Sequence, residues 1–383
     1  MQLDLSGDQL QIREVVRALC ASEFAAHAAR WDHEGEVPRS AVATLAEHGF
    51  LGMAIPEEWG GLGWDSRTTT LVIEEMARVS AALAIMIAVH NSVGALPVFR
   101  FGTDAQRRRF LPRLVSRELA AFSLSEPGAG SDAAAIRSTA ARQGDHYVLN
   151  GSKNWVTNGE QAGVYLIFAR TAKDGGHKGL SAFIVERGSP GLVIGKAEDK
   201  MGLRGSDTVA LALEDLKVPA DQRLGEEGEG FRIAMSMLDA GRIGVAAQAL
   251  GVARAAFAES VRYAQQRQAF GGPLARIQAV QFKLAGMERR LQCARLLLDR
   301  AAWLKDIDQP YTREASMAKL YASEAATWIT HQAIQIHGGY GYVKEYAVER
   351  YYRDARVMEI YEGTSEIQRL VIARSLLRDG VRV

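Results

Sequence analysis

Along the first third of the chain apolar residues recur at helical spacing, as in Leu10, Val15, Leu19 and Phe24 and again in Leu71, Val72, Met76 and Val79. That pattern predicts an all-helical stretch from Gly7 to about Glu118. It is broken at Pro38, at the Gly/Trp/Pro-rich run Ile55 to Trp64, and at Phe101 to Asp104, where Thr103 or Asp104 is placed to cap the next helix. After about Ala120 the period becomes that of extended chain. Tyr147-Val148-Leu149 runs into Asn150-Gly151, a hairpin signal, and Val164 to Ala169, Leu180 to Val185 and Thr208 to Leu213 read as short strands. Pro219 and the segment Gly225 to Gly230 close this region. From Phe231 onward the helical period returns, predicting helices at 231–266, 277–306, 312–337 and 365–378, a set long enough for a four-helix bundle. The fold class expected is α+β, mainly α. Its parts are an N-terminal helical domain (1–119), a central β-sheet or barrel domain (120–230) and a C-terminal helical bundle (231–383).

Composition narrows the function classes. A chain of 383 residues with 48% hydrophobic content is long enough for two or three cored domains. Its 46 basic and 45 acidic side chains nearly cancel, so no net field marks a nucleic-acid or membrane-surface binder, and a charged ligand must be held by local groups. Cys20 and Cys293 lie far apart and outside any C-x-x-C spacing, which argues against a disulfide framework or a zinc site and fits a reducing compartment. MQLDLSGDQL has no basic segment ahead of an apolar core, so no secretory signal is expected. The longest apolar run, around Ala81 to Val89, is about half of a membrane span, and no integral membrane association is expected. The expected location is the cytoplasm, or the mitochondrial matrix if the protein is processed from a eukaryotic precursor.

Candidate chemistry concentrates in a few motifs. In YEGTSEIQR, Tyr361 to Arg369, the carboxylate of Glu362 sits in a turn ahead of a helix start, beside a glycine that lets a ligand approach the backbone. Thr364 or Ser365 is placed to cap that helix, and Ser365 to Gln368 fits an S-x-x-Q capping box. An ordinary capped helix start reads the same way. In GAGSD, Gly128 to Asp132, the glycines allow backbone N–H groups to converge on an anion and Ser131 adds a hydroxyl, although a plain turn has the same composition. Trp155 and Thr157, two apart on a strand, share a face that would set an indole and a hydroxyl toward one ligand, or toward a core. Asp239 and Arg242, three apart on a helix, also share a face, as surface ion pairs commonly do. No G-x-G-x-x-G follows a strand and opens a helix, so nothing argues for a Rossmann dinucleotide site.

LSEPGAGSD (Leu124 to Asp132), NWVTNG (Asn154 to Gly159), RQAFGGP (Arg267 to Pro273), QIHGGYGY (Gln335 to Tyr342) and YEGTSEIQR follow one another in this order. Together they closely resemble the acyl-CoA dehydrogenase family, with the nearest likeness to its short-chain, butyryl-type branch, from about Leu5 to Leu377. The resemblance implies the helical, sheet, helical fold and an FAD cofactor. It assigns to FAD the loop carrying Phe122, Leu124, Ser125, Gly130 and Ser131, and the strand residues Trp155, Val156 and Thr157. From a neighbouring subunit it implies Arg267, Phe270, Gln278, Gln335, Ile336, His337, Gly338 and Gly339. Arg267 suits this role because a guanidinium can clamp a pyrophosphate, while Gly338 and Gly339 also read as a plain helix C-cap. Thr364, Ser365 and Glu366 resemble the last FAD contact group.

For the substrate, the resemblance implies CoA contacts at Asp239 to Arg242 and further contacts at Ser131 and Gly363. Glu362 is the implied base at the acyl Cα, with flavin N5 accepting hydride from Cβ. A free Glu titrates near ~4.3, and desolvation should raise its proton affinity. The Glu362 N–H and a ribityl hydroxyl are the implied donors to the thioester oxygen, each typically worth roughly 3 to 4 kcal/mol. Some relatives carry the base on the long helix, at a position matching Gly241, where this chain has no side chain to serve. The acyl tail is expected near His90 to Phe101, where Gly94 replaces a commonly bulky residue and Leu96 a commonly small one, and a short to medium acyl chain is expected. The implied partners are an acyl-CoA substrate, an electron-transfer flavoprotein and, as a homotetramer, further copies of the chain, with no nucleic acid and no metal. Alternatives of the same fold are an oxidase or a flavin-dependent monooxygenase; an alternative of another class is a non-catalytic flavoprotein serving assembly.

Overall fold

The computed structural model describes residues 4–380. Helix α1 (Gly7–Leu19) begins with a reciprocal cap in which Ser6 Oγ accepts from Gln9 N and the Gln9 side chain accepts from Ser6 N. It is followed by α2 (Ala28–Glu34), α3 (Arg39–Glu47), α4 (Ser66–Val79), α5 (Ala81–Val89), α6 (Leu96–Phe101) and α7 (Asp104–Ser116). The expected cap at Thr103 is present, again reciprocal, with Gln106. In α1 the buried face carries Gln9, Val16 and Leu19, while Leu10 and Val15 are exposed. The five-residue step between those two turns about 140° round the helix, which takes them off one face. A π-helical stretch (His90–Ala95) joins α5 to α6, so the apolar helix runs unbroken from Ala81 to Phe101. At 21 residues it is longer than the run read from the sequence and passes the length and apolarity test for a membrane span. Almost all of it is buried inside the protein, as the central helix of a core.

The middle region is an eight-stranded sheet: β1 (Ala120–Ser123), β2 (Thr139–Gln143), β3 (His146–Thr157), β4 (Val164–Arg170), β5 (Leu180–Glu186), β6 (Leu192–Ala197), β7 (Thr208–Pro219) and β8 (Arg223–Leu224). The strand order is β6-β7-β3-β2-β4-β5-β8, with β1 lying parallel to β4. Strand β4 is buried on both faces. Val164, Leu166 and Phe168 join a core shared with α7 and the N-terminal helices, while Tyr165, Ile167 and Ala169 join the core between the strands.

The hairpin turn expected at Asn150-Gly151 is not there. The turn lies at Gly144-Asp145, where Gly144 has φ +64°, and Gln143 pairs with His146. β3 runs straight through Asn150 and Gly151, with a bulge against β7 at that point. Two contacts explain it: Asn150 and Asp215 exchange hydrogen bonds of 3.0 and 2.9 Å across the strands, and a Cβ on Gly151 would stand 2.4 Å from Ser138 Oγ. The Asn-Gly pair thus forms a bulge and a close strand approach, a second use of the same two residue types.

The C-terminal region holds α8 (Gly230–Gln266), a small hairpin of β9 (Gln268–Ala269) and β10 (Gly272–Pro273), then α9 (Gln278–Asp306), α10 (Thr312–His337), α11 (Val348–Arg356) and α12 (Ser365–Asp379). The four predicted helices match within a residue or so at either end. The short, charge-rich α11 was not anticipated. It packs Val348, Tyr351 and Ala355 inward and sends Asp354 Oδ1 to the Leu203 N–H at 2.6 Å, tying the bundle to the sheet region.

Candidate active site

Glu362 lies in the turn between α11 and α12 with φ +49°, followed by Gly363 at φ +95°. Consecutive left-handed residues fold the chain back on itself, a conformation that costs a non-glycine residue stability and is retained where the surroundings impose it. Hydrogen bonds from three side chains, Tyr361, Gln368 and Lys319, impose it here. The Tyr361 hydroxyl donates to Gln248 Oε1 on α8, whose amide in turn donates to Ala81 O at 2.8 Å. Gln368 Nε2 donates to the carbonyls of Glu362 (3.2 Å) and Gly363 (2.9 Å), and Lys319 Nζ on α10 donates to Gly363 O at 2.7 Å. The expected capping box at Ser365 to Gln368 is therefore absent. Thr364 is the cap, accepting from Ile367 N at 3.3 Å, and Gln368 is drawn away to clamp the turn.

The carboxylate itself points against α8 at Gly241, where a Cβ would fall 1.9 Å from Glu362 Oε2. Among the described residues that oxygen is sealed from solvent and has no hydrogen-bond partner. Burial pushes the Glu362 carboxyl up to about 7, against the opposing pull of Lys319 and Arg242. The Glu362 N–H has no acceptor in the chain among the described residues.

Asp239 and Arg242 share a face as read from the sequence, but in the interior and not at the surface. Arg242 Nη1 donates to Asp239 Oδ1 at 2.6 Å, Thr312 Oγ1 donates to Asp239 Oδ2 at 2.5 Å, and both side chains are largely buried. Burial raises the Asp239 carboxyl, and Arg242 opposes the shift. The expected pocket residues Gly94 and Leu96 are also buried: a Cβ on Gly94 would stand 2.7 Å from Ala120 Cβ, so strand β1 fills the space that the missing side chain leaves.

Most of the expected cofactor residues fall into two groups. In the first, the loop after β1 is tied to β3 by Asn154 N donating to Ser125 O at 2.9 Å. Beneath it, the buried Lys153 Nζ reaches Glu126 Oε1 at 2.7 Å and Leu124 O at 3.2 Å. Gly128 and Gly130 face open space, and Ser131 is exposed beside them. Trp155, at φ +61° on a bulge of β3 where the strand register shifts, is 62% exposed, and Thr157 is half-buried. Val156 between them is fully buried in the sheet core and offers only its backbone; Leu124 is buried too, and Phe122 is half-buried against Phe168. An open glycine cradle beside an outward-facing indole fits a planar, phosphate-bearing group such as FAD.

In the second group, Arg267, Ile336, His337, Gly338 and Gly339 line a groove of about 700 Å3 with Tyr263, Tyr340 and Tyr346. Arg267 stacks over Tyr340, and Gly338 does cap α10 through its N–H to Ile334 O. Phe270, 96% exposed at φ +53°, and the exposed Gln278 and Gln335 lie outside this lining, as does every residue of the first group. Thr364, Ser365 and Glu366 belong to the start of α12, where the Ser365 side chain is buried and Glu366 exposed. The sequence reading missed Lys319, Gln248 and the clamp made by Gln368. Lys319 and Gln248 act on the turn from far along the chain and no local motif marks them, whereas Gln368 reads in the sequence only as a capping-box residue.

The N-terminal, middle and C-terminal domain families of acyl-CoA dehydrogenase match residues 6–118, 121–216 and 228–377. The chain belongs to the acyl-CoA dehydrogenase family and is an FAD-dependent oxidoreductase of that family. It is 48% identical over 377 residues to the mitochondrial short-chain specific acyl-CoA dehydrogenase of Rattus norvegicus, covering 98% of this chain and 92% of that one. The solved butyryl-CoA dehydrogenase of Megasphaera elsdenii superposes with a TM-score of 0.97 at 44% identity, covering 99% of this chain and 100% of that one. A chain solved in work on the electron transferring flavoprotein of Acidaminococcus fermentans and flavin-based electron bifurcation matches equally well, with a TM-score of 0.97 at 43% identity over 99% and 100% of the two chains.

Proposed function

We propose that this protein dehydrogenates a short- to medium-chain acyl-CoA to the trans-2-enoyl-CoA, with Glu362 as the base that takes the proton from Cα. The observation that carries this reading is the seat of Glu362: its carboxylate lies against Gly241, with Oε2 sealed from solvent and unpaired, and is raised to about 7 by burial. A carboxylate so placed is ionised for an appreciable fraction at neutral pH and is a far stronger base than a free Glu. The free N–H of Glu362 is available to the thioester oxygen as charge builds there, which makes the α-proton more acidic. FAD supplies the hydride acceptor at N5.

The loop from Phe122 to Ser131 and the Trp155 to Thr157 bulge would hold the flavin, with Val156 serving through its backbone. The groove at Arg267 and Gly338, apart from that group, would bind the FAD of a neighbouring copy, together with Phe270, Gln278 and Gln335, in a homotetramer. Asp239 and Arg242 would face the CoA portion, with Ser131 and Gly363 as further substrate contacts. The domain boundaries proposed are 1–119, 120–230 and 231–383, and the electron acceptor proposed is an electron-transfer flavoprotein. The seat of Glu362 favours the dehydrogenase over a non-catalytic flavoprotein. The test is an anaerobic titration with straight-chain acyl-CoAs from butyryl to octanoyl, followed at the oxidised flavin absorbance. Bleaching by the shorter members is expected; a flavin unchanged by every one of them would refute the reading.

A further inference from the structure

We propose that Lys319 is a positioning residue for the Glu362 base, holding by its ammonium the Gly363 carbonyl of the turn from which the carboxylate projects. The proposal rests on Glu362 being that base. Lys319 is 0% exposed on α10, 44 positions before Gly363, and its Nζ donates to Gly363 O at 2.7 Å. Among the described residues it has no other hydrogen-bond acceptor and no carboxylate in contact distance. A buried ammonium is costly, and most are retained by a directly contacting carboxylate. A neutral donor would hold a carbonyl at much lower desolvation cost, and Gln368 already does so on the same oxygen. The charge therefore needs another explanation, and Glu362 supplies it.

The groups facing this site are few. Glu362 is acted on by Lys319 from α10 and Arg242 from α8. Lys319 is acted on by Glu362, Arg242, Glu359 and Glu366. Arg242 is already neutralised by Asp239 at 2.6 Å, which leaves Lys319 as the cation whose charge is not spent in a contact pair. Burial alone would push the base higher; the lysine limits that rise and keeps the carboxylate usable near neutrality. In its own turn Lys319 is lowered to about 8 by burial, and the Glu362 carboxylate opposes that shift.

The experiment compares the parent holoenzyme with Lys319→Met, of similar length but apolar, and Lys319→Gln, which keeps a donor and drops the charge. For each, FAD content is read from the visible spectrum, and flavin reduction by butyryl-CoA is followed across pH by stopped flow. Expected for Lys319→Met is retained FAD, reduction at least about tenfold slower at neutral pH, and an acid limb moved to higher pH by about one unit or more. Lys319→Gln should recover part of the rate at high pH but keep the displaced limb. An FAD-loaded Lys319→Met, or Lys319→Gln where the first does not fold, with the parent's rate and limb overturns the proposal. So does loss of folding in both, which would assign the lysine to stability. Glu362→Gln run in parallel separates the two levels. If it is inactive while the Lys319 variants match the parent, the lysine proposal alone fails; if it reduces its flavin as the parent does, the base assignment fails.

Discussion

Gly241 and Glu362 occupy one position in space between them: a methyl group at 241 would lie 1.9 Å from Glu362 Oε2. The helix α8 and the turn before α12 each could supply a side chain to that point, and in this chain only the turn does. The obstruction would meet the end of a flexible side chain and not backbone. Gly241→Ala should therefore fold and bind FAD normally but displace the carboxylate. A misplacement of about 1 Å costs on the order of a hundredfold in rate, and stopped-flow reduction by butyryl-CoA would measure it.

The raised carboxyl of Glu362 has two consequences of definite sign. Flavin reduction should fall roughly tenfold per pH unit once the pH drops below about 7, as the base becomes protonated. Stability runs the other way. A carboxyl whose folded value lies near 7, above its ordinary 4.5, binds its proton more tightly when folded. Its contribution to the fold is thus fullest below about 4.5 and is lost as pH rises through 7. Glu362→Gln does not titrate, so the parent should lose up to about 3 kcal/mol relative to the variant between those limits. Urea denaturation of both proteins at about pH 5 and about pH 8 would show it.

Lys153 and Glu126 form a buried pair at 2.7 Å, and the same carboxylate accepts from the N–H groups of Arg137 (2.6 Å) and Ser138 (3.0 Å). The pair braces the loop that the cofactor would rest on. Lys153→Met leaves the carboxylate buried without its cation, a change that typically costs about 3–5 kcal/mol. We expect a lower Tm together with FAD lost on gel filtration.

Position 94 was expected to line the acyl pocket, yet its space is closed by Ala120 Cβ at 2.7 Å, a rigid neighbour on β1. Gly94→Ala should overpack that contact and destabilise the protein by about 1–3 kcal/mol. Chain-length preference, as kcat/KM from butyryl- to octanoyl-CoA, should not move. A shifted preference at unchanged Tm would restore Gly94 to the pocket.

What the sequence disclosed was mostly local. Long apolar periodicity located α8, α9, α10 and α12 closely, and the five motifs pointed to both the family and the Glu362 turn. The failures share a cause, which is a local signal overruled by a distant partner. Asn150-Gly151 reads as a hairpin until Asp215 and Ser138 are opposite it. Gln368 reads as a capping-box residue until it turns back to the Glu362 and Gly363 carbonyls. Asp239 and Arg242 read as a surface pair until α10 brings Thr312 and Ser316 over them. Lys319 carries no signal of its own, because only the packing of α10 under the turn gives it a role.

The central claim is that Glu362 is the proton acceptor, and the direct measurement is the anaerobic rate of flavin reduction by butyryl-CoA in Glu362→Gln. The substitution keeps the shape of the side chain and removes its basicity. FAD content should match the parent while reduction falls by several orders of magnitude. A variant that reduces its flavin at the parent's rate would show that another group takes the proton.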